Sequence, residues 1–197
     1  MKKPIHRKTA LFFGSFNPIH IGHLIIAGQM VENSDLDQVW FIVSPQNPFK
    51  KKKSLLKNHH RLNLVKEAIK DDWRFQANDI EFSLPQPSYT IHTLTVLAEK
   101  YPDKRFALII GSDNLSSFHK WKNYREILEQ YQIYVYPRFD HEPGELANHP
   151  SVHLVDAPRM ELSANMIREG IQKGKDMRYL ISPGVYRYIQ EMGLYQD

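Results

Sequence analysis

The chain has 197 residues, 42% of them hydrophobic and 24% charged, which excludes a disordered chain, a collagen-like fibre or a coiled coil as its main state. Lysine plus arginine exceed aspartate plus glutamate by 26 to 22, a net charge of +4 that implies a polyanionic partner only where the basic residues cluster. Cysteine is absent, so disulfides and thiolate sites are excluded, and no apolar run reaches the ~18–20 residues of a membrane span.

The first basic and apolar stretch, MKKPIHRKTALFFGSF, is interrupted by Gly14 and Pro18 too early for a secretion signal. The lack of cysteine is compatible with a reducing cytoplasm. Residues 9–13 (TALFF) read as a buried strand that ends at Gly14. Leu24, Ile25, Ala27, Gly28 and Val31 follow at helical spacing, and residues 38–43 (QVWFIV) form a second buried strand. Residues 44–54 hold Pro45, Pro48 and four lysines and read as an exposed loop; Lys57 and Arg61 continue the basic cluster. Leu62, Val65, Ala68 and Ile69 mark a helix, and Phe75, Ile80 and Phe82 a short extended stretch.

Ser88 is placed to cap the next helix, whose apolar face is Ile91, Leu94, Leu97 and Ala98. Residues 105–110 (RFALII) are a third buried strand ending at Gly111. Leu115, Phe118 and Trp121 lead to a helix over residues 124–130, then a strand over 132–136. Residues 140–151 read as a loop and 152–155 as a fifth strand. Ser163 opens a helix through Ile167 and Ile171, and Pro183 opens the last, through Val185 and Ile189. This alternation predicts an α/β fold, a Rossmann-like doubly wound, mostly parallel sheet with helices on both faces. There is no internal repeat and no dividing linker, so residues 1–197 are expected to form a single domain. In such sheets ligands sit beyond the carboxyl ends of the strands, which directs attention to the loops after Phe13, Val43, Ile110, Tyr136 and Val155.

The first of these loops carries the strongest signal. GSFNPIHIGHL, residues 14–24, leaves a buried strand and enters a helix. Gly14 and Ser15 allow backbone to come close to a ligand, Pro18 stiffens the turn, and Gly22 removes a side chain. His20 and His23, three residues apart, project from one side of the first helical turn. A helix amino end with its unpaired N–H groups and partial positive charge, flanked by two imidazoles, suits a phosphate chain. Either histidine alone could be a cap or a packing residue. A metal pair would need a third ligand, and none stands at a convincing spacing. The Gly-Lys-Ser/Thr ending of a P-loop and the three-glycine dinucleotide fingerprint are both missing.

GSFNPIHIGHL resembles the His-x-Gly-His signature of the nucleotidyltransferase superfamily, with Asn17 where aspartate is usual, kept as a turn-capping acceptor without charge. LSANMIR, residues 162–168, resembles the second signature of that superfamily, with Asn165 in place of threonine. Three further stretches resemble nicotinate mononucleotide adenylyltransferases: SYTIHTL at 88–94, IIGSDNLSSFHKWKNYREI at 109–127 and YLISPGVYRYI at 179–189. Phosphopantetheine adenylyltransferases share the first signature but usually carry threonine at the place of His20 and lack the tryptophan element.

The resemblance implies adenylyl transfer from ATP to nicotinate mononucleotide. In that reading Gly14, Ser15, Phe16, His20, His23, Gly111, Asp113, Ser163 and Arg168 bind ATP. His20, His23, Lys50 and Arg168 act on the phosphates; Lys50 ends NPFK (47–50), where the family has Pro-Pro-His-Lys, and its register is open across Lys50 to Lys53. Trp121 stacks on the pyridine ring. Thr90 and the backbone near Lys122 receive its carboxylate, Asp113 the ribose hydroxyls, and Arg138 the nucleotide phosphate. Mg²⁺ is expected on ATP oxygens, with several waters and no protein carboxylate cage. Alternative acceptors are nicotinamide mononucleotide and phosphopantetheine. A basic nucleic-acid-binding module built on the lysine loop is a reading from another class, disfavoured because only Phe49 supplies an interleaved aromatic. No nucleic acid or membrane partner is expected, and the sequence is compatible with an oligomer.

Overall fold

The computed structural model describes residues 7–45, 55–139 and 141–196. Its elements in chain order are β1 (Lys8–Gly14), α1 (Ile21–Glu32), β2 (Gln38–Val43), α2 (Asn58–Ile69), β3 (Phe75–Asn78), α3 (Thr90–Lys100) and β4 (Arg105–Gly111). There follow α4 (Ser112–Ser116), α5 (Tyr124–Gln130), β5 (Gln132–Tyr136), β6 (Val152–Leu154), α6 (Ala164–Gln172) and α7 (Pro183–Glu191).

The strands make one sheet in the order β3-β2-β1-β4-β5-β6. Every pairing between these strands is parallel, so the expected "mostly parallel" sheet is parallel throughout among the described residues. Side chains alternate across a strand, and both sides here are apolar. Ala10, Phe12, Val39, Phe41, Ala107, Ile109 and Tyr134 join one core with buried residues of α1, α2, α6 and α7. Leu11, Trp40, Ile42, Leu108, Ile110, Ile133 and Val135 join the other with residues of α3, α4 and α5. Burying one such Leu, Ile or Val contributes about 1.5–3 kcal/mol, which explains why continuous apolar runs became central strands.

β1, β2 and β3 proceed outward on one side, and the chain returns through α3 to place β4 on the other side of β1. The β1/β4 boundary is therefore the switch point, where neighbouring connections leave in opposite directions and open a crevice.

Several local expectations change. Residues 75–82 do not continue as one extended stretch; β3 ends at Asn78 and Ile80–Ser83 form a 3₁₀ turn. Ser88 does not cap α3: the N-cap is Tyr89, without a side-chain hydrogen bond, and Ser88 is buried. The loop over 140–151 contains a 3₁₀ turn at Glu145–Asn148. The buried side of α1 is Gly22, Ile26, Ala27 and Met30 rather than Leu24, Ile25, Gly28 and Val31, since apolar residues occur all around that helix. Ser163 does open α6, accepting from the Met166 N–H, and Pro183 begins α7, which Ser182, not expected from the sequence, caps by accepting from the Val185 N–H. No helix among the described residues is long and apolar enough to cross a membrane.

α7 packs closely on α2. At Gly184 an added Cβ would stand 2.9 Å from the carbonyl oxygen of Glu67, a backbone atom that cannot swing aside. Gly184→Ala is expected to destabilise the fold by about 1–3 kcal/mol through overpacking, read as a lower urea midpoint with an unchanged slope.

Candidate active site

Every site residue named from the sequence, Lys50 excepted, lies at the carboxyl end of a strand, in a segment that leaves that edge of the sheet or in a helix that begins there. Lys50, with its neighbours up to Lys53, lies outside the described residues.

Beyond β1 the chain turns sharply. The Phe16 ring folds back over Gly14, where an added Cβ would come 2.7 Å from the ring. Phe16 has φ +45°, a left-handed conformation that costs a residue with a side chain about 1–3 kcal/mol. Its ring is buried edge-on against Phe12, Phe41 and His23, so the packing over-determines the turn. The next residue, Asn17, is not a simple turn cap. It is buried, and its Oδ1 accepts from the Leu56 N–H at 3.3 Å and from the Tyr195 hydroxyl at 2.9 Å. Its backbone carbonyl accepts from Arg168 Nη1 at 2.7 Å. The second signature is thus tied directly to the first, and so is the C-terminal segment.

His20 is the N-cap residue of α1, and its ring stacks on His23 at 3.7 Å between centroids. The His20 N–H donates to His23 Nδ1 at 3.2 Å, which leaves the ring proton of a neutral His23 on Nε2. Burial, helped by the positive charge of Arg138, pushes the His20 pKa down to about 4. His20 is therefore a neutral imidazole at pH 7, and the fixed positive charge beside it comes from arginine. The amino end of α1 is also less open than expected, because the Ile21 N–H donates to the Leu180 carbonyl. Gly22 faces the His20 ring and Leu162.

At the end of β4, Gly111 is required by close approach: an added Cβ would collide with the Asp113 carboxylate and lie 3.2 Å from Arg138 and Tyr136. Arg138 Nε stands 3.6 Å from Asp113 Oδ1, and the Arg138 N–H donates to Ser112 Oγ at 2.9 Å. Asp113 Oδ1 is buried, and among the described residues no hydrogen bond reaches it. Arg138, just after β5, carries its guanidinium to the β4/β5 end, near His20.

On the α3 side of the same edge, Thr90 is the first residue of α3 and Trp121 packs on the fully buried Phe118 at 4.8 Å. Lys122 Nζ lies 3.3 Å from His92 Nε2 and 4.7 Å from the centre of the Tyr89 ring, so the SYTIHTL and tryptophan stretches meet. Ser163 caps α6 and Arg168 lies on it, with Arg168 Nη2 donating to Asn165 Oδ1 at 2.9 Å.

A cytidylyltransferase-like family model matches residues 11–170. A Flavobacterium johnsoniae protein is 51% identical over 191 residues, 96% of this chain and 99% of the relative, and one from Cytophaga hutchinsonii is 52% identical over 190 residues with the same shares. Both are named probable nicotinate-nucleotide adenylyltransferase. The chain belongs to the nicotinate-nucleotide adenylyltransferase family.

The fold agrees with a solved structure. Plasmodium falciparum nicotinic acid mononucleotide adenylyltransferase, in complex with NaAD, superposes with a TM-score of 0.80 at 22% identity, over 96% of this chain and 98% of that one.

Sequence reasoning missed two site-shaping residues. Arg61, grouped above with the exposed basic cluster, is completely buried. The available signal was its spacing: Arg61, Leu64, Val65 and Ile69 form the buried side of α2, and a charge on that stripe must find partners inside. Tyr195 follows the last helix, where no periodic pattern points to it; burial and its contact with Asn17 make it part of the site, and burial pushes its pKa up.

The His20 environment makes stability depend on pH. An unfolded imidazole binds its proton near pH 6.5, the folded one only near 4, so between these values the unfolded state holds more protons and stability falls as pH falls. The drop in urea midpoint from pH 7 to about 4.5 is expected to be larger in the wild type than in His20→Gln, which lacks the titrating ring.

Proposed function

We propose that this protein transfers the adenylyl group of ATP to the 5′-phosphate of nicotinate mononucleotide, giving nicotinate adenine dinucleotide and pyrophosphate, a step of NAD biosynthesis. The observation that carries the site assignment is the Arg168–Asn17 bond, which joins the two signatures at the switch point. Stacked imidazoles, the capped amino end of α6 and two arginines then serve a single crevice.

The triphosphate would lie along residues 14–23, with His23 Nε2–H as a donor to the α-phosphate and Ser163 and Arg168 holding the leaving pyrophosphate. An oxygen of the acceptor phosphate attacks the α-phosphorus. The bond to the β-phosphate oxygen breaks in line, and that oxygen leaves with its electron pair on pyrophosphate. With a second pKa near ~6, the attacking phosphate is already ionised at pH 7, so no general base is required. Charge accumulates on the equatorial oxygens during transfer, and fixed N–H donors favour that state over bound substrate. A neutral His20 suits this work, since it orients phosphate by hydrogen bonding without titrating between pH 5 and 8.

The partly exposed Asp113 carboxylate would receive a ribose hydroxyl, and Arg138 beside it the nucleotide phosphate. The partly buried Trp121 would form one wall for the pyridine ring, with the amino end of α3 at Thr90 and the segment at Lys122 toward its carboxylate. A Mg²⁺ ion would come with the ATP complex, bound through phosphate oxygens and water. It would supply charge neutralisation on the triphosphate. The dependence on ATP favours the cytoplasm as the working compartment.

Pyrophosphate release should be fastest with nicotinate mononucleotide when that compound, nicotinamide mononucleotide and phosphopantetheine are offered in turn with ATP. Preference for either of the others would overturn the acceptor assignment. His23→Ala should lower kcat by a factor of ~10² or more, the scale of one lost oxyanion donor, and a near-normal kcat would remove His23 from the reaction.

A further inference from the structure

Beneath the phosphate loop lies a cation that the proposed chemistry does not use. The Arg61 guanidinium is wholly buried, and all five of its N–H groups are engaged. Nε donates to the Leu56 carbonyl at 3.1 Å, and Nη1 to the carbonyls of Ser15 at 2.6 Å and Ser44 at 2.7 Å. Nη2 donates to the Pro45 carbonyl at 3.3 Å and to Asn58 Oδ1 at 2.7 Å. None of these acceptors is a carboxylate. Burial draws the Arg61 pKa down to about 10, which still leaves it charged at pH 7.

Interior charge without a counter-charge is costly, and packing alone would be served as well by an apolar side chain. What an apolar side chain cannot do is orient carbonyls from three separate segments: the turn after β1, the end of β2 and the start of α2. Of these the Ser15 carbonyl matters most. In a trans peptide the C=O and the following N–H point in opposite directions. Holding the Ser15 oxygen inward on Arg61 therefore turns the Phe16 N–H outward, on the strained turn where the phosphate chain is expected.

We infer that Arg61 is a positioning residue for adenylyl transfer: it fixes the Ser15–Phe16 peptide so that the Phe16 N–H faces the ATP phosphates, and it places one buried positive charge behind that loop. The inference rests on the adenylyl-transfer reading above. Lysine keeps the charge but offers three donors on a tetrahedral ammonium in place of a planar fork, so it cannot hold the same set of carbonyls.

The test uses the full chain with ATP, Mg²⁺ and nicotinate mononucleotide. Arg61→Lys, at a temperature where circular dichroism shows it folded, should lose on the order of 10² in kcat, with the KM for nicotinate mononucleotide within about threefold of wild type. A loss of this kind above about threefold supports the role. A folded Arg61→Lys with kcat within about threefold of wild type, or with its loss carried mainly by the acceptor KM, overturns it. Should Arg61→Lys fail to fold, Asn58→Ala decides, since it removes only the acceptor at the edge of the cluster: a kcat reduced more than about threefold supports the inference and an unchanged kcat sinks it. Wild-type turnover measured alongside separates the two readings, because an inactive wild type would refute adenylyl transfer itself.

Discussion

A tight turn between a buried strand and a helix cannot be satisfied by regular secondary structure alone, and its buried polar groups still need partners. In this protein that constraint is concentrated in residues 15–17. The Ser15 carbonyl is taken by Arg61, the Asn17 carbonyl by Arg168, and the Asn17 side chain by Leu56 and Tyr195. Three stretches of chain, residues 56–61, Arg168 and Tyr195, widely separated in sequence, are recruited to hold three residues. Phe16, between them, keeps its left-handed backbone because its ring is locked among Phe12, Phe41 and His23. The fold can be seen as a platform for this turn, with the parallel sheet opening its crevice next to it.

Charge in the site follows from the same arrangement. The two histidines look like a cationic pair in sequence, but burial and the nearby Arg138 keep His20 neutral well below physiological pH. Permanent positive charge is left to Arg138, Arg168 and the buried Arg61. Division of labour of this kind is physically sensible for phosphoryl chemistry. Guanidinium groups stay charged whatever the substrate does, while a neutral imidazole gives a directional N–H without a pH-dependent penalty.

Much of the fold was legible along the chain. β2, α5 and β5 begin and end at the residues expected, because each is a run of one pattern bounded by turn residues. Failures occurred where local patterns compete. Around Phe75 to Phe82 alternating apolar residues suggested one extended piece, but the chain must leave the sheet edge, and it does so through a 3₁₀ turn with Glu81 buried against Thr93. In α1 nearly every position is apolar, so periodicity could not choose the inner side. The residues of the candidate site were legible as short motifs, whereas Arg61 resembled its lysine neighbours and Tyr195 had no pattern to mark it.

By itself the sequence determined the alternation of strands and helices, the two-sided apolar character of the strands, and the first loop as the candidate site. Those properties depend on neighbours within a few residues, through hydrogen-bond geometry, side-chain period and backbone permissiveness. Only the tertiary structure decided the strand order, the union of the two signatures through Arg168 and Asn17, the neutrality of His20 and the inward turn of Arg61. Each of these depends on distance and burial among groups remote in sequence, and desolvation and Coulomb forces act through space, whatever the number of residues between.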